Sequence, residues 1–415
     1  MNWIWSNSTK IVFGEGCIKE NLKNFVQPNS KILCTYGNKS EVSDSLHDEV
    51  QLSLDNLFCS TIWKEGVSDS DYDRLVELSN FVAHEKPDLI IAVGGQSVVN
   101  GTKFIACASH LPEGVDAWNE IFIKGQYPSD VAPFASITTI PACGSEWNNN
   151  FTISRQSKSI TLSGGTDETY PIFSLIDPQY SKNISKIQIR NIIFESFVNV
   201  VDQSFIPLCS PLTDDFFLSV LKELVEISMI YFTPKKEGEE EEEDNDNYDA
   251  LQRLIVASLF SNNFIFSLGR EKSWGIHTIA YQISSYYEIE LVQALSLICP
   301  FFLENQFCNR IPMMAKAAVV VFGTDKNISD EEKARAFISE LRNFISFLHL
   351  PKNITEYNDG ISDDDNKLVI EENDSEVVSN FVIKSIAKFV DGDRFGFRNQ
   401  VSLKDVKSIL RKVIL

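Results

Sequence analysis

Two adjacent glycines, Gly94 and Gly95, followed by Gln96 and Ser97, form the pattern that most clearly points to chemistry. The apolar run 89–93 before them is too short for a helix, and the residues after them resume helical spacing. This predicts a buried parallel strand, a tight turn and a helix. Glycine adopts backbone angles closed to other residues and lets a ligand approach the main chain, while the N–H groups and positive dipole end of a helix suit a phosphate. We interpret the segment as a phosphate-binding loop; the alternative is a turn that only connects strand to helix.

Size and charge narrow the class of protein. The 415 residues, 43% hydrophobic and 23% charged, are typical of a globular protein with room for two domains. The net charge is −21, but nine acidic residues and no basic one lie within 237–249. We interpret 237–249 as a solvated loop between two helices, with cation binding or partner docking as the alternative. This charge argues against nucleic acid or an anionic membrane as a partner.

The remaining composition favours an intracellular setting. The sequence has no apolar run of the roughly 18 residues needed to span a bilayer, and its first seven residues lack the features of a signal peptide. Its eight cysteines are scattered without a CxxC pair, which favours reduced, buried thiols over zinc ligands. We predict a cytoplasmic protein.

The elements that would position the glycine loop alternate along residues 1–180. Short strands are predicted at 11–13, 31–36, 61–64, 89–93 and 136–140, and helices at about 70–86 and 97–109. This alternation predicts an α/β domain with a doubly wound, mostly parallel sheet and a cofactor crevice at the strand ends. Two further strands are expected at 151–154 and 173–176. Residues 181–415 predict an all-helical domain, with helical periodicity at 186–206, 212–232, 248–268, 274–287, 291–308, 330–348 and 375–389.

The chain resembles the iron-containing (group III) alcohol dehydrogenases, whose fold is related to dehydroquinate synthase, and most of all their branch of butanol dehydrogenases and NADPH-dependent aldehyde reductases. Four motifs carry the resemblance: IVFGEG (11–16), AVGGQSVVNGTKFIA (92–106), IPACGSE (140–146) and IDP (176–178). It covers essentially the whole chain. It implies an oxidoreductase that acts on a small alcohol or carbonyl compound with NAD(P), as a homodimer.

The resemblance also implies a dinucleotide along an interdomain cleft. The positions that it places at the cofactor are Gly37, Lys39, Ser40, Gly94, Gly95, Gln96, Ser97, Asn100, Lys103, Thr138, Thr139, Cys143 and Ser145. Gly94–Ser97 would cradle the pyrophosphate, and Thr138, Thr139, Cys143 and Ser145 would line the nicotinamide and ribose. NAD-preferring members carry an acidic residue after the first long strand, whereas the turn 37–40 has no carboxylate and one cation, Lys39. We therefore favour NADP(H) over NAD(H); the alternative is that Lys39 is only a surface lysine.

Members of this family use a divalent metal to polarise the alcohol or aldehyde oxygen. Their ligand positions fall on Glu195, Asn199, His277 and Leu291, and a further catalytic histidine falls on Tyr281. An amide is a poor ligand for iron or zinc, and leucine is none. The four other histidines (47, 84, 110 and 349) lie outside these segments. We therefore expect no metal; the alternative is a rebuilt Mg²⁺ or Mn²⁺ site that adds Glu288 or Glu290.

His277 is the remaining candidate for acid–base chemistry. Without a metal it could donate a proton to a carbonyl, with Tyr281, one helical turn on, as a donor or relay. The structural alternatives are a histidine bonded to a carboxylate such as Glu195, and a packing tyrosine. Because loss of a Lewis acid removes several kcal/mol of transition-state stabilisation, we expect an electron-poor carbonyl as substrate. Two other hypotheses stay open: a pseudoenzyme with a binding or regulatory role, and a metal enzyme with a rebuilt site.

Overall fold

A computed structural model describes residues 4–39, 42–206, 210–234, 243–268, 273–354, 374–388, 390 and 392–414. The chain divides into two compact units. The N-terminal unit comprises Ser6–Ile184 and Leu254–Asn263, and the helical unit comprises Ser185–Arg253, Phe264–Leu415 and the first five residues. Residues 254–263, which we expected in the helical domain, therefore group with the N-terminal unit.

The N-terminal unit is built on a six-stranded parallel sheet. Its strands are β1 (Lys10–Phe13), β2 (Lys31–Thr35), β3 (Ser60–Lys64), β4 (Leu89–Gly94), β5 (Phe134–Thr138) and β8 (Phe173–Ile176), in the order β1-β8-β5-β4-β2-β3. The helices are α1 (Cys17–Phe25), α2 (Asp44–Asp55), α3 (Tyr72–Glu85) and α4 (Gln96–Ala108). Helices α1 and α2 cover the sheet face that carries Ile91 and Val93, while α3 packs on α4 and α4 on β4. The predicted doubly wound parallel sheet is confirmed.

β4 lies inside the sheet, paired with both β2 and β5, and all six of its residues are buried. Its unbroken apolar run follows from this position, because a strand covered by helices on both faces needs apolar side chains on both. An antiparallel hairpin of β6 (Asn150–Arg155) and β7 (Ile160–Gly165) completes the unit.

The helical unit contains most of the segments that periodicity predicted. Its helices are α5 (Lys186–Ser204), α6 (Pro211–Phe232), α7 (Glu243–Ser261), α8 (Gly275–Tyr287), α9 (Leu291–Asn305), α10 (Phe307–Phe322), α11 (Asp330–Phe347), α12 (Asp374–Ile386) and α13 (Leu403–Ile414), with a short pair β9 (Arg394–Phe395) and β10 (Val401–Ser402). The C-terminal end of α7 belongs to the other unit. Within the part of the chain that the structure describes, no single helix is long and apolar enough to cross a membrane; α9 and α10 meet those criteria only as a pair bent by 112°.

Three expectations for this half need correction. Residues 243–249 form the start of α7 rather than part of an acidic loop, since acidic side chains are favourable at a helix N-terminus; the rest of the predicted loop, 237–242, lies outside the described residues. The predicted segment 291–308 is two helices, and most of α10 was missed. Helix α13 was not predicted. Nearly all of the predicted polar loop 353–375 also lies outside the described residues.

Candidate functional site

Helix α4 begins directly after β4, with Gly95 as its N-cap at φ −88°. Glycine has no side chain with which to cap this end of the helix. We expected unusual backbone angles here, but neither Gly94 nor Gly95 has a left-handed φ. Gly94 is needed for space instead, because a Cβ there would lie 2.6 Å from Cγ2 of Val98, whereas a Cβ on Gly95 would lie 3.4 Å from Ile140. Packing therefore requires glycine at position 94 but allows a Cβ at position 95 in ordinary contact with Ile140.

β5 ends next to this turn. Thr138 pairs with Gly94 in the sheet register, and the Thr139 N–H donates to the Gly94 carbonyl at 3.3 Å. Both threonines are buried, and their hydroxyls have no hydrogen-bond partner within the described ranges. Buried hydroxyls normally find a partner. Two such groups beside a helix N-terminus fit a bound dinucleotide.

Asp69, which the sequence analysis missed, engages two of the predicted cofactor residues. The Ser97 Oγ donates to Asp69 Oδ1 at 2.7 Å and accepts from the Asp69 N–H at 3.0 Å, and Asn100 Nδ2 donates to Oδ2 at 3.3 Å. Burial raises the pKa of Asp69, and the bonds from Ser97 and Asn100 oppose that rise. A carboxylate is therefore held beside the loop that we assigned to a phosphate.

Lys103 is fully buried and organises the segment 145–150. Its Nζ donates to the carbonyls of Ser145 and Asn150 at 2.6 and 2.8 Å and to Asn148 Oδ1 at 2.9 Å. Burial lowers the pKa of Lys103 well below its usual range, against the charge of Glu146. Ser145 Oγ in turn donates to Asn100 Oδ1 at 2.6 Å. The predicted residues Asn100, Lys103 and Ser145 thus form one network in which Lys103 positions the loop that follows β5.

That loop has a strained start. Cys143 is buried with φ +46°, and Gly144 follows at φ +85°. A Cβ on Gly144 would lie 3.0 Å from the Cβ of Asn262, so glycine is required for both its angle and its space.

The turn after β2 carries the residues predicted to select the cofactor. The Gly37 carbonyl accepts from the Gly66 N–H at 2.8 Å, which ties this turn to the one after β3. Lys39 is exposed, and Ser40 lies outside the described residues. Arg74, another residue that the sequence analysis missed, donates from Nη2 to the Glu65 carbonyl at 2.9 Å. Because Glu65 precedes Gly66, Arg74 is a second cation near this turn.

In the helical unit His277 is paired with Asp202. One carboxylate oxygen, Asp202 Oδ2, lies 2.9 Å from His277 Nδ1 and accepts from the N–H groups of Ile276 and His277, each at 3.0 Å. Both side chains are buried. The carboxylate thus caps α8 from α5 and fixes the imidazole. The structural alternative for His277 was a bond to a carboxylate such as Glu195; the structure does pair the imidazole with a carboxylate, but it is Asp202, which stands seven residues later.

The charge on Asp202 has a further neighbour. Arg310 is buried and donates from Nη1 to the Phe205 carbonyl at 2.6 Å. Burial lowers the pKa of Arg310 to about 10, while the charge of Asp202 opposes that change. A cation on one side and the imidazole on the other stabilise a buried carboxylate.

Comparison with known proteins identifies the family. The profile for iron-containing alcohol dehydrogenases matches residues 8–178, and that for the C-terminal region of the Fe-containing alcohol dehydrogenase family matches residues 211–381. The chain belongs to the iron-containing alcohol dehydrogenase family. It is an alcohol dehydrogenase-like or aldehyde reductase-like oxidoreductase.

Several members of the family are similar over nearly their whole length. NADPH-dependent aldehyde reductase YqhD of Escherichia coli is 27% identical over 84% of this chain and 87% of its own. Probable NADH-dependent butanol dehydrogenase 2 of Bacillus subtilis is 26% identical over 99% of both chains. The crystal structure of E. coli YqhD superposes with a TM-score of 0.85 at 24% identity over 99% of this chain and 98% of its own, which supports the fold.

The metal implied by the family name does not fit the residues at the family's ligand positions. Asn199 is buried on α5, Glu195 is partly buried on the same helix, and Leu291 opens α9. Across the described ranges no three His, Cys, Asp or Glu side chains come together as a metal site. Glu288 and Glu290, proposed for a rebuilt site, are exposed beyond the C-terminal end of α8, whereas His277 lies at its start. The donor set therefore offers a divalent ion one imidazole and one carboxylate at these positions.

Tyr281 lies one turn after His277, with ring centroids 5.9 Å apart. It is partly exposed, whereas His277 is 3% exposed. Tyr281 thus lies between the buried imidazole and the more open part of α8.

Proposed function

We propose that this oxidoreductase reduces a small, electron-poor carbonyl compound with NADP(H), with His277 as the proton donor and without a divalent metal. The observation that carries the proposal is the buried Asp202–His277 pair. The carboxylate holds Nδ1, and within the described part of the chain Nε2 has no hydrogen-bond partner. A buried imidazole nitrogen without a partner is costly unless a ligand supplies one.

The hydrogen-bond pattern decides which nitrogen acts. An ionised carboxylate only accepts, so Nδ1 carries the hydrogen that bonds Asp202. Nε2 is then the atom that exchanges a proton with substrate. NADPH supplies the hydride when bound. His277 in its protonated form gives the Nε2 proton to the carbonyl oxygen, and the charge of Asp202 stabilises the imidazolium before transfer.

The substrate class follows from the missing Lewis acid. A metal would stabilise developing negative charge on oxygen by several kcal/mol. Where hydrogen bonds replace the metal, less of this charge is stabilised, so the carbonyl must already be activated by an adjacent electron-withdrawing group. We therefore assign α-oxo aldehydes and α-diketones, rather than simple alkanals, as the substrate class.

Two cations support NADP(H) over NAD(H). Lys39 lies on the turn after β2 and Arg74 lies near it. Arg74 also pairs with Glu77 at 3.0 Å, so Lys39 is the main group that would attract a 2′-phosphate. Relatives of both kinds exist, an NADPH-dependent aldehyde reductase and NADH-dependent butanol dehydrogenases, so only the charge near this turn favours NADP(H).

The test is NADPH oxidation by the full chain with methylglyoxal and 2,3-butanedione, and with butanal as the unactivated control. We expect turnover with the first two that survives dialysis against a chelator. His277→Ala should lower kcat by about 100-fold or more with the Kd for NADPH unchanged, whereas His84→Ala, which removes an exposed histidine, should leave both unchanged. Activity lost to the chelator and restored by iron or zinc would overturn the metal-free proposal. Failure to bind NADPH would refute the reductase and leave the alternative of a pseudoenzyme with a binding or regulatory role.

A further inference from the structure

Asn199 has a buried amide whose role the proposed function does not explain. It lies on α5, three residues before Asp202, and its side chain is 2% exposed. Its Nδ2 has no hydrogen-bond partner in the described portion of the chain. An amide N–H left without an acceptor in the interior is a substantial penalty, so an acceptor from outside the protein is the economical explanation.

The position of Asn199 relative to His277 follows from the fold. Residues three apart on a helix lie on one face, with about 5–6 Å between their Cβ atoms. Asp202 is bonded to the imidazole and to the first turn of α8. Asn199 therefore lies one turn of α5 away from the point where α5 holds His277. Three buried atoms in this region of one unit, Asn199 Nδ2, Asp202 Oδ1 and His277 Nε2, thus have no hydrogen-bond partner among the residues that the structure describes, and two of them are nitrogens that could meet a substrate.

We propose that Asn199 donates a hydrogen bond from Nδ2 to the carbonyl oxygen of the substrate, in the place where a metal would polarise it. This inference rests on the proposed function and names the group that activates the carbonyl. A neutral N–H aimed at the oxygen stabilises the negative charge that develops during reduction, and losing one such donor costs about 100- to 1,000-fold in rate. Asn199 polarises the oxygen and His277 protonates it.

The chemistry makes a sharp distinction between substitutions. Asn199→Ala removes the donor. Asn199→Asp keeps the shape but replaces the donor with an acceptor, which repels the carbonyl oxygen. A donor role therefore requires that the aspartate variant be worse than the alanine variant. A purely structural role for the side chain predicts instead that ligand binding falls only as far as the stability of each variant falls, because a second buried carboxylate one turn from Asp202 is itself destabilising.

The test measures binding of isobutyramide, an unreactive amide whose carbonyl oxygen is a strong acceptor. It is titrated by tryptophan fluorescence into the full chain, with and without NADPH. We expect the Kd of isobutyramide to rise at least tenfold in Asn199→Ala and further in Asn199→Asp, with the Kd for NADPH unchanged in both. Asn191→Ala is the matched control, since it removes an amide from the same helix where Asn191 bonds Glu290 on the surface.

The outcomes separate this inference from the proposed function. Wild-type protein that fails to bind isobutyramide, or Asn199 variants that bind it like wild type, would overturn the role of Asn199 even if NADPH is oxidised. Binding that depends on Asn199, without NADPH oxidation, would support the donor and refute the reductase. Thermal unfolding of each variant shows whether a loss is due to misfolding, and an Asn199→Asp variant that folds but binds better than Asn199→Ala contradicts the inference.

Discussion

Asp202 makes three hydrogen bonds at the start of α8 through a single oxygen, Oδ2. This oxygen lies 2.9 Å from the imidazole Nδ1 of His277 and accepts from the backbone N–H groups of His277 and Ile276, each at 3.0 Å. The same oxygen orients the ring and caps the helix that carries it. The position of the proposed proton donor therefore depends on a carboxylate 75 residues earlier in the chain.

We expect Asp202→Asn to lower kcat by about 100-fold or more, because the imidazolium loses its counter-charge even where the amide oxygen takes the place of Oδ2. KM and the Kd for NADPH should change little. The free energy of unfolding should fall by about 1–3 kcal/mol, because the hydrogen bonds to Ile276 and His277 lose their charged acceptor and the buried Arg310 loses a neighbouring negative charge. Steady-state kinetics and denaturant unfolding measure these effects separately.

Asp214→Asn is the control for Asp202→Asn. Asp214 is also buried in the helical unit, where it accepts from Lys316 at 2.9 Å. Its loss should reduce stability and leave kcat intact. Equal losses of kcat in both variants would mean that Asp202 acts only on folding.

The pairing of Asp202 with His277 shows where sequence reasoning stopped. Hydrophobic periodicity predicted the parallel sheet and most helices because each is a local pattern. Asp202 stands in the same predicted helix as Asn199, three positions later. A second polar residue in an otherwise apolar stretch could have indicated that Asp202 also faces the site. Its partner became evident only from the packing of α5 against α8. Asp69 and Arg74 were missed for the same reason. Both follow β3, whereas Asp69 contacts the start of α4 after β4 and Arg74 lies near the turn after β2.

The two glycines of the phosphate loop should respond differently to alanine. Gly94→Ala places a Cβ 2.6 Å from Val98, and such overpacking costs about 1–3 kcal/mol of stability. Gly95→Ala meets Ile140 at 3.4 Å, so the fold should tolerate it, but the Kd for NADPH should rise tenfold or more because the added methyl group stands at the N-cap, where we assign the phosphate close to the main chain. Thermal unfolding and NADPH fluorescence distinguish the two. Unchanged NADPH affinity in Gly95→Ala would place the nucleotide elsewhere.

Asp69 predicts how NADPH affinity depends on pH. Burial raises the pKa of Asp69, so wild-type protein acquires this negative charge as pH rises through a value above 3.8, and a bound phosphate is then repelled. Affinity should fall over that window in wild type, relative to Asp69→Asn. At pH 7 the variant should bind NADPH about tenfold more tightly, which is the effect of a unit charge about 12 Å from the phosphate at an effective dielectric of about 20.

The Asp69→Asn variant keeps the bond from Ser97 and loses only the 3.3 Å contact from Asn100. The ratio of the Kd for NADPH in wild type to that in the variant, taken at each pH, removes the effect of protonation of the cofactor itself. Weaker NADPH binding by the variant at every pH would show that Asp69 serves to position Ser97 and not to oppose the phosphate.

Cofactor choice should depend on Lys39. We expect Lys39→Glu to weaken NADPH binding by about 10- to 100-fold, because a carboxylate replaces a cation near the 2′-phosphate, while NADH binding changes at most a few-fold. Lys158→Glu, which alters an exposed lysine after β6, is the charge-matched control. If both cofactors lose affinity equally, or neither does, Lys39 is a surface lysine and the assignment of NADP(H) loses its main support.

The family's ligand positions offer a direct test of metal independence. Asn199 and Glu195 lie on α5, His277 on α8 and Leu291 on α9, and α5 packs against both other helices. We expect a triple variant, Glu195→Asp with Asn199→His and Leu291→His, to bind Co²⁺ stoichiometrically, because it presents three imidazoles and a carboxylate. Wild-type protein and the single variant Asn199→His should not. Visible absorption of Co²⁺ and calorimetric titration report binding whether or not the variant turns over. Stoichiometric Co²⁺ in wild type would show that Glu195, Asn199 and His277 already suffice to hold an ion, and the reduction would then have to be rewritten around it.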